Sequence, residues 1–383
     1  MRGTLIVTND FPPRQGGIQS FVHGLACLLP PDQVAVYAPA WDSAKSFDAR
    51  QPFPMIRHPT SLMLPVPSVR RRAVAALREY DFDAVLFGAA APLGLLGPAL
   101  RRAGATRLVA LTHGHEAGWA VLPGARGLLR RIGDSVDVVT YLGEYFRSRL
   151  SRALSPQAAA RMVRLAPGVD VAAFRPGPGG TPAHGIRERL GLAGSPVVVC
   201  VSRLVKRKGQ DTLIRSWPGV RAAVPGARLL LVGDGPYGRD LRRLAAERGV
   251  AAAVTFAGSV PSDELPGYYA AGDVFAMPCR TRRGGLDVEG LGIVYLEASS
   301  AGLPVIGGDS GGAPDAILDG ETGYVVPGRD VGALTRRICE LLTDPARAQA
   351  MGRRGLAWAE REWDWSRVGG RLSAILRDEH PAG

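Results

Sequence analysis

Two carboxylates eight residues apart, Glu289 and Glu297, stand in the stretch DVEGLGIVYLEASSAG that runs from Asp287 to Gly302. Between them lie Gly290, Leu291 and Gly292, then the apolar run Ile293, Val294, Tyr295, Leu296. Glycines at 290 and 292 keep Glu289 off the helix and open a bend whose backbone N–H groups point at whatever occupies the helix start. Glu297 then falls one turn inside. At ~1.5 Å rise per residue the two carboxylates can stand roughly 10 Å apart, about the span from a hexose to a ribose across a diphosphate. One sugar nucleotide could touch both. Either glutamate alone reads equally well as a solvated carboxylate beside an ordinary helix.

A diphosphate needs cations, and the segment Ser202 to Asp211 (SRLVKRKGQD) supplies them after an apolar strand-length run. It holds two of the three lysines of an arginine-rich chain, Lys206 and Lys208, the other being Lys45. Arg203 and Lys208 are suited to clamp a diphosphate and to take up the charge that grows on a leaving group. A solvated basic turn is the plainer alternative. Gly233 to Gly238 (GDGPYG) spells G-x-G-x-x-G between a strand and a helix, the dinucleotide fingerprint taken literally. It follows the second strand of its series rather than the first, Pro236 follows the second glycine, and Asp263 and Glu264 lie beyond the expected ~20 residues. Gly233 and Gly235 therefore read as a turn bordering a nucleotide or as a simple strand-to-helix turn. Near the start, Gly16 and Gly17 precede a helical pattern and could present N–H groups to a phosphate. Asp10 and Gln19 are polar candidates beside them for a second substrate. His113, in THGHE, follows a strand and belongs at the carboxyl edge of a sheet, where ligands bind; Glu116 is nearby.

These residues need two α/β scaffolds to hold them. A chain of 383 residues exceeds one typical core, and 46% hydrophobic with 21% charged residues makes it globular. Short apolar runs at 4–8, 33–37, 83–87, 106–111 and 136–141 alternate with helical patterns such as Val69 to Tyr80, which implies a mostly parallel sheet. After a Pro- and Gly-rich segment, a second series runs through Val197–Val201, Arg228–Val232, Val254–Phe256, Val274–Met277 and Pro304–Ile306. The expected organisation is a doubly wound domain over 1–168, a linker over 169–195, a second doubly wound domain over 196–357 and a closing helix over 358–383 that returns to the first, the two domains facing one cleft. No secretory segment opens the sequence, and the uncharged stretch Ala84 to Leu100 is broken by glycines and prolines, so it reads as strand, loop and short helix rather than a membrane span. A cytoplasmic protein is the expectation. Cys27, Cys200, Cys279 and Cys339 are scattered, without the spacing of a disulfide framework or a zinc site, and read as reduced core thiols. The formal charge of +12 is carried mostly by residues 1–170. It suits anionic lipid better than nucleic acid, since no recognition helix, finger or aromatic sheet accompanies it. Leu62, Met63, Leu64 and Val66, followed by Arg70, Arg71 and Arg72, form a candidate lipid-contact segment in the first domain.

The motifs resemble those of retaining glycosyltransferases of family 4. The EGLGI core and LEA ending match the family's E-x7-E motif, Arg203 and Lys208 its R-x4-K pair, VGDGP its nucleotide loop, and PPRQGGIQ its first glycine loop. Overall the chain resembles the phosphatidylinositol mannoside mannosyltransferases. The resemblance implies a GT-B fold of two Rossmann-like domains, a nucleotide-sugar donor, GDP-mannose first, and a glycolipid acceptor on the first domain. It assigns sugar hydroxyls to Glu289, the ribose to Glu297, the diphosphate to Arg203, Lys208, Gly16, Gly17 and the bend Gly290–Ile293, and the reacting sugar to His113. It implies no tightly bound cofactor, and the lack of a D-x-D cluster speaks against an obligatory metal. A family member using a soluble sugar, sugar phosphate or specialised metabolite is the nearest alternative. An NAD-dependent oxidoreductase and a non-enzymatic basic binding protein are more remote.

Overall fold

The computed structural model describes residues 1–114, 116–119, 123–176 and 183–379. It divides into two compact units, Met1–Pro167 joined by the chain's end from Ser366, and Gly168–Trp365.

The first unit is built on a seven-stranded sheet of β1 (Thr4–Val7), β2 (Val34–Pro39), β3 (Met55–His58), β4 (Ala84–Phe87), β5 (Arg107–Ala110), β6 (Val138–Tyr141) and β7 (Met162–Arg164). Their order is β3-β2-β1-β4-β5-β6-β7, and every pairing is parallel. The second unit carries six parallel strands, β8 (Val197–Val201), β9 (Arg228–Val232), β10 (Val254–Gly258), β11 (Val274–Met277), β12 (Val305–Gly308) and β13 (Gly323–Val326), in the order β10-β9-β8-β11-β12-β13. Both sheets reverse direction of growth after their third strand, the fourth pairing with the free side of the first. That leaves a crevice at the carboxyl ends of β1 and β4 in one unit and of β8 and β11 in the other, where doubly wound sheets bind ligands. The central strands read as unbroken apolar runs because helices cover both faces.

Three strands, β3 (MIRH), β7 (MVR) and β13 (GYVV), carry no clear signal in the sequence, and all three are sheet edges. An edge strand is short and covered on fewer sides, so it needs no long apolar run. The stretch Ala84 to Leu100 folds as strand, loop, a short 3-10 turn and the start of a short helix. Among the described residues no helix is long and apolar enough to cross a membrane.

Three expectations are corrected. The tail is not the single closing helix expected from residue 358 onward. It is a helix Pro345–Glu362 in the second unit, then a helix Trp365–Arg377, interrupted where Val169 N–H donates to the Trp363 carbonyl (2.9 Å) and Val169 pairs with Asp364. Almost all of the final helix belongs to the first unit, where Arg107 donates to the Ile375 carbonyl (2.8 Å) and pairs with Asp378 (2.6 Å). Among the cysteines only Cys200 and Cys279 are buried; Cys27 is exposed. Met63 is not an exposed apolar residue: it is completely buried, while Leu62, Leu64 and Val66 around it are exposed. The physical reason lies in Asn9. Its side-chain amide donates to the Met63 carbonyl (2.9 Å) and its Oδ1 accepts the Met63 N–H (2.7 Å), which turns that side chain into the core. Replacing Asn9 with Ala removes both bonds, and urea denaturation of the variant should show a loss of about 1–3 kcal/mol.

Candidate functional site

In the second unit the chemistry gathers at the ends of β8, β11 and β12. After β8 the chain makes a 3-10 turn, Lys206–Lys208, before Gly209 and the helix Gln210–Ala223. The turn delivers Lys208 and Arg207 to one carboxylate. Lys208 Nζ lies 2.9 Å from Glu289 Oε2 and 3.1 Å from Oε1, and Arg207 Nη1 donates to Oε2 at 2.7 Å. Arg207 also reaches Asp287 through Nε at 3.0 Å. Glu289 is only 6% exposed, and a carboxyl buried to that degree needs partners such as these two cations.

The Glu289 backbone is held as firmly as its side chain. Its N–H donates to Ser310 Oγ (3.2 Å) and its carbonyl accepts from Gly312 N–H (3.1 Å), both in the turn after β12. Gly311, at φ 57°, passes so close that a Cβ there would sit 2.0 Å from the Glu289 carbonyl oxygen. The bend ends at Gly292, left-handed at φ 77°, which caps the helix Ile293–Ser300. Glu289 therefore precedes the helix, and Glu297 lies one turn inside it. Glu297 is half-buried and accepts the Tyr269 hydroxyl at 2.5 Å. Burial pushes its carboxyl above the usual range, against the Tyr269 hydrogen bond and the Lys208 charge, which pull it back.

Other expected residues fall elsewhere on this unit. The Arg203 side chain is exposed, and its carbonyl accepts from Gln210 Nε2 (2.9 Å). The cations that meet Glu289 are thus Arg207 and Lys208. Gly233 and Gly235 pack against the Arg203 turn: a Cβ at Gly233 would lie 2.2 Å from the Ser202 carbonyl oxygen, and one at Gly235 would lie 2.5 Å from that of Leu204. Close backbone approach accounts for both glycines without a dinucleotide. Arg280 was not anticipated; it is buried, donates to Asp211 (2.7 Å) and Thr212 (3.1 Å), and gives its N–H to the Arg207 carbonyl (2.9 Å).

In the first unit the expected residues sit at the carboxyl ends of β1 and β5. Gly16 and Gly17 open the helix Gly17–Cys27, and Gln19, nearly buried, donates to Asp10 Oδ1 at 2.7 Å. His113 follows β5; its Nε2 donates to the Gly88 carbonyl just beyond β4, since a carbonyl can only accept. Its backbone N–H donates to Glu116 Oε2 (2.9 Å), and its ring meets Phe21 edge-on at 5.8 Å. Leu62, Leu64, Arg70, Arg71 and Arg72 are exposed, Arg72 being paired with Glu79 (3.2 Å). Among the described residues no group of three or more His, Cys, Asp or Glu could hold a metal ion.

Arg207 and Asp287 were legible as neighbours of Lys208 and Glu289. Ser310 and Tyr269 were not, because each meets its glutamate across more than twenty residues of chain.

Residues 15–173 match the profile described as Glycosyltransferase Family 4, and residues 185–358 that of glycosyl transferases group 1. The chain is 53% identical, over 99% of both sequences, to the GDP-mannose-dependent alpha-(1-6)-phosphatidylinositol monomannoside mannosyltransferase of Mycolicibacterium smegmatis. It is 47% identical to the monoacylated-substrate enzyme of Corynebacterium glutamicum, over 99% of this chain and 98% of that one. Among solved structures, Anabaena HepE in complex with UDP superposes with a TM-score of 0.81 at 20% identity, covering 98% of this chain and 100% of that one. The chain belongs to glycosyltransferase family 4 and has the GT-B fold.

Gly311→Ala should separate the contact from general glycine effects. It forces a Cβ into the Glu289 carbonyl at a left-handed position and should cost about 1–3 kcal/mol in denaturant titration together with a loss of activity. Gly226→Ala, where a Cβ would meet nothing nearer than 3.8 Å, should leave both near wild type.

Proposed function

We propose that the protein transfers mannose from GDP-mannose, with retention of anomeric configuration, to a hydroxyl of a phosphatidylinositol mannoside. The observation that carries this reading is the Lys208 ammonium seated on the Glu289 carboxylate in a chain about half identical, end to end, to mannosyltransferases of that specificity. An ammonium has three donors; with Glu289 engaging it, a donor remains for a phosphate oxygen.

In this mechanism Lys208 and Arg203 take up the negative charge on the departing diphosphate. The N-terminus of the Ile293–Ser300 helix, with the bend Gly290–Ile293, adds its dipole to the same charge. Gly16 and Gly17 contribute in the same way from the first unit. Glu289, fixed by Arg207 and by the Ser310–Gly312 turn, accepts hydrogen bonds from the sugar hydroxyls, and Glu297 accepts those of the ribose diol. Gly233 and Gly235 shape the turn that borders the nucleotide. The C1–O bond to the diphosphate breaks as the acceptor oxygen bonds to C1 on the same face, and its proton passes to a donor phosphate oxygen. His113, with Asp10 and Gln19, lines the acceptor side of the first unit. The mechanism uses no covalent enzyme intermediate and no metal.

The acceptor lies in a bilayer, and the exposed residues Leu62, Leu64 and Val66, followed by Arg70 and Arg71, suit a peripheral contact with anionic lipid. Arg203→Ala or Lys208→Ala should lower the transfer rate by about two orders of magnitude or more, assayed with GDP-mannose, since loss of one charge-stabilising donor is worth ~3 kcal/mol. Near-normal turnover in both variants would refute the clamp. Leu62→Ser with Leu64→Ser should reduce sedimentation with phosphatidylinositol-containing liposomes at least several-fold while leaving GDP binding unchanged. Undiminished sedimentation would remove this segment from the membrane contact.

A further inference from the structure

Glu297 has one side-chain partner with a defined purpose in the fold. Tyr269, on the short helix Leu265–Ala270, is completely buried, and its ring is gripped by Phe174 (centroids 5.4 Å, edge-on) and Phe275 (5.7 Å, stacked). Two aromatic contacts at different angles leave the ring one position, so its hydroxyl is aimed rather than merely accommodated. It donates to Glu297 Oε2 at 2.5 Å. We infer that Tyr269 is a positioning residue for nucleotide binding: its hydroxyl, aimed by Phe174 and Phe275, holds Glu297 in the rotamer that accepts a vicinal diol. This rests on the proposed role of Glu297 at the ribose.

A diol offers two O–H donors. An ionised carboxylate has about four lone-pair sites, so with Tyr269 occupying one it can still accept both; a protonated carboxyl turns one oxygen into a donor and loses that capacity. Desolvation works towards protonation here, and burial already raises the Glu297 carboxyl above its ordinary value. The opposing groups are the Tyr269 hydrogen bond first and the Lys208 charge second. Tyr269 keeps its proton and so donates to Glu297, since burial and the Glu297 charge push its own ionisation well above the usual range. Beyond Tyr269 stands Cys200, whose thiol burial raises to about 12, so neither titrates between pH 5 and 8.

The test is GDP affinity by calorimetry between pH 5 and 8 for the wild type, Tyr269→Phe and Glu297→Gln. Phenylalanine keeps the ring between Phe174 and Phe275, so the variant should fold. In the wild type, affinity falls as the pH drops through the Glu297 ionisation. In Tyr269→Phe that fall should begin at higher pH, with affinity on the falling limb down by up to roughly tenfold, because a hydrogen bond to the charged form is lost. Its thermal midpoint should also decline more steeply than the wild type's as pH rises. A carboxyl whose folded value is raised contributes stability below its unfolded value and loses it as pH climbs through the folded one. Glu297→Gln should bind GDP weakly with a flattened pH profile. If Glu297→Gln is impaired but Tyr269→Phe keeps the wild-type profile, Tyr269 merely packs and the inference fails. If Glu297→Gln binds GDP as the wild type does, the ribose role of Glu297 fails and takes the inference with it.

Discussion

One nearly buried carboxylate governs the second unit. Glu289 is 6% exposed, and its carboxylate is paired with Arg207 and Lys208, some eighty residues earlier in the chain. The turn after β8 and the loop after β11 must therefore close on each other. Adjacency of β8 and β11 at the reversal of the sheet brings them within reach, and Arg280 ties the two together by giving its N–H to the Arg207 carbonyl while its guanidinium holds Asp211. The Ser310–Gly312 turn fixes Glu289 from the β12 side. A carboxylate held at both side chain and backbone has little freedom left to lose when a sugar hydroxyl arrives, which is the economy of a prearranged site.

The same wiring is used in the first unit with different side chains. Reversal between β1 and β4 brings the Asp10–Gln19 pair, Gly88 and His113 to one end of the sheet, where Asp10 also lies 4.0 Å from the Arg14 guanidinium. Asn9 adds a link of its own, since it joins the loop after β1 to the turn that carries the exposed Leu62 and Leu64.

Legibility in the sequence follows from how local each signal is. Central strands announce themselves because both faces are buried; β3, β7 and β13 do not, because edges need less apolar surface. The break between the last two helices is invisible in a run that stays amphipathic across Trp363 and Trp365, and it depends on a backbone bond from Val169 nearly two hundred residues away. Met63 looks like its neighbours Leu62 and Leu64 in composition, yet Asn9 sends it inward. Gly233 and Gly235 look like a dinucleotide loop, and their actual neighbours are the carbonyls of Ser202 and Leu204.

The sequence by itself determined the alternation of strands and helices, the two doubly wound units, the bend that sets Glu289 before a helix and Glu297 within it, and the family. Each of these is written in residues a few positions apart, where spacing and backbone preference suffice. Only the tertiary structure decided that Arg207 shares Glu289 with Lys208 while Arg203 stays exposed, that Ser310 holds Glu289 from behind, and that Tyr269 meets Glu297. Those contacts depend on which loops the strand order brings side by side, and no local pattern encodes the identity of a partner that only sheet topology makes a neighbour.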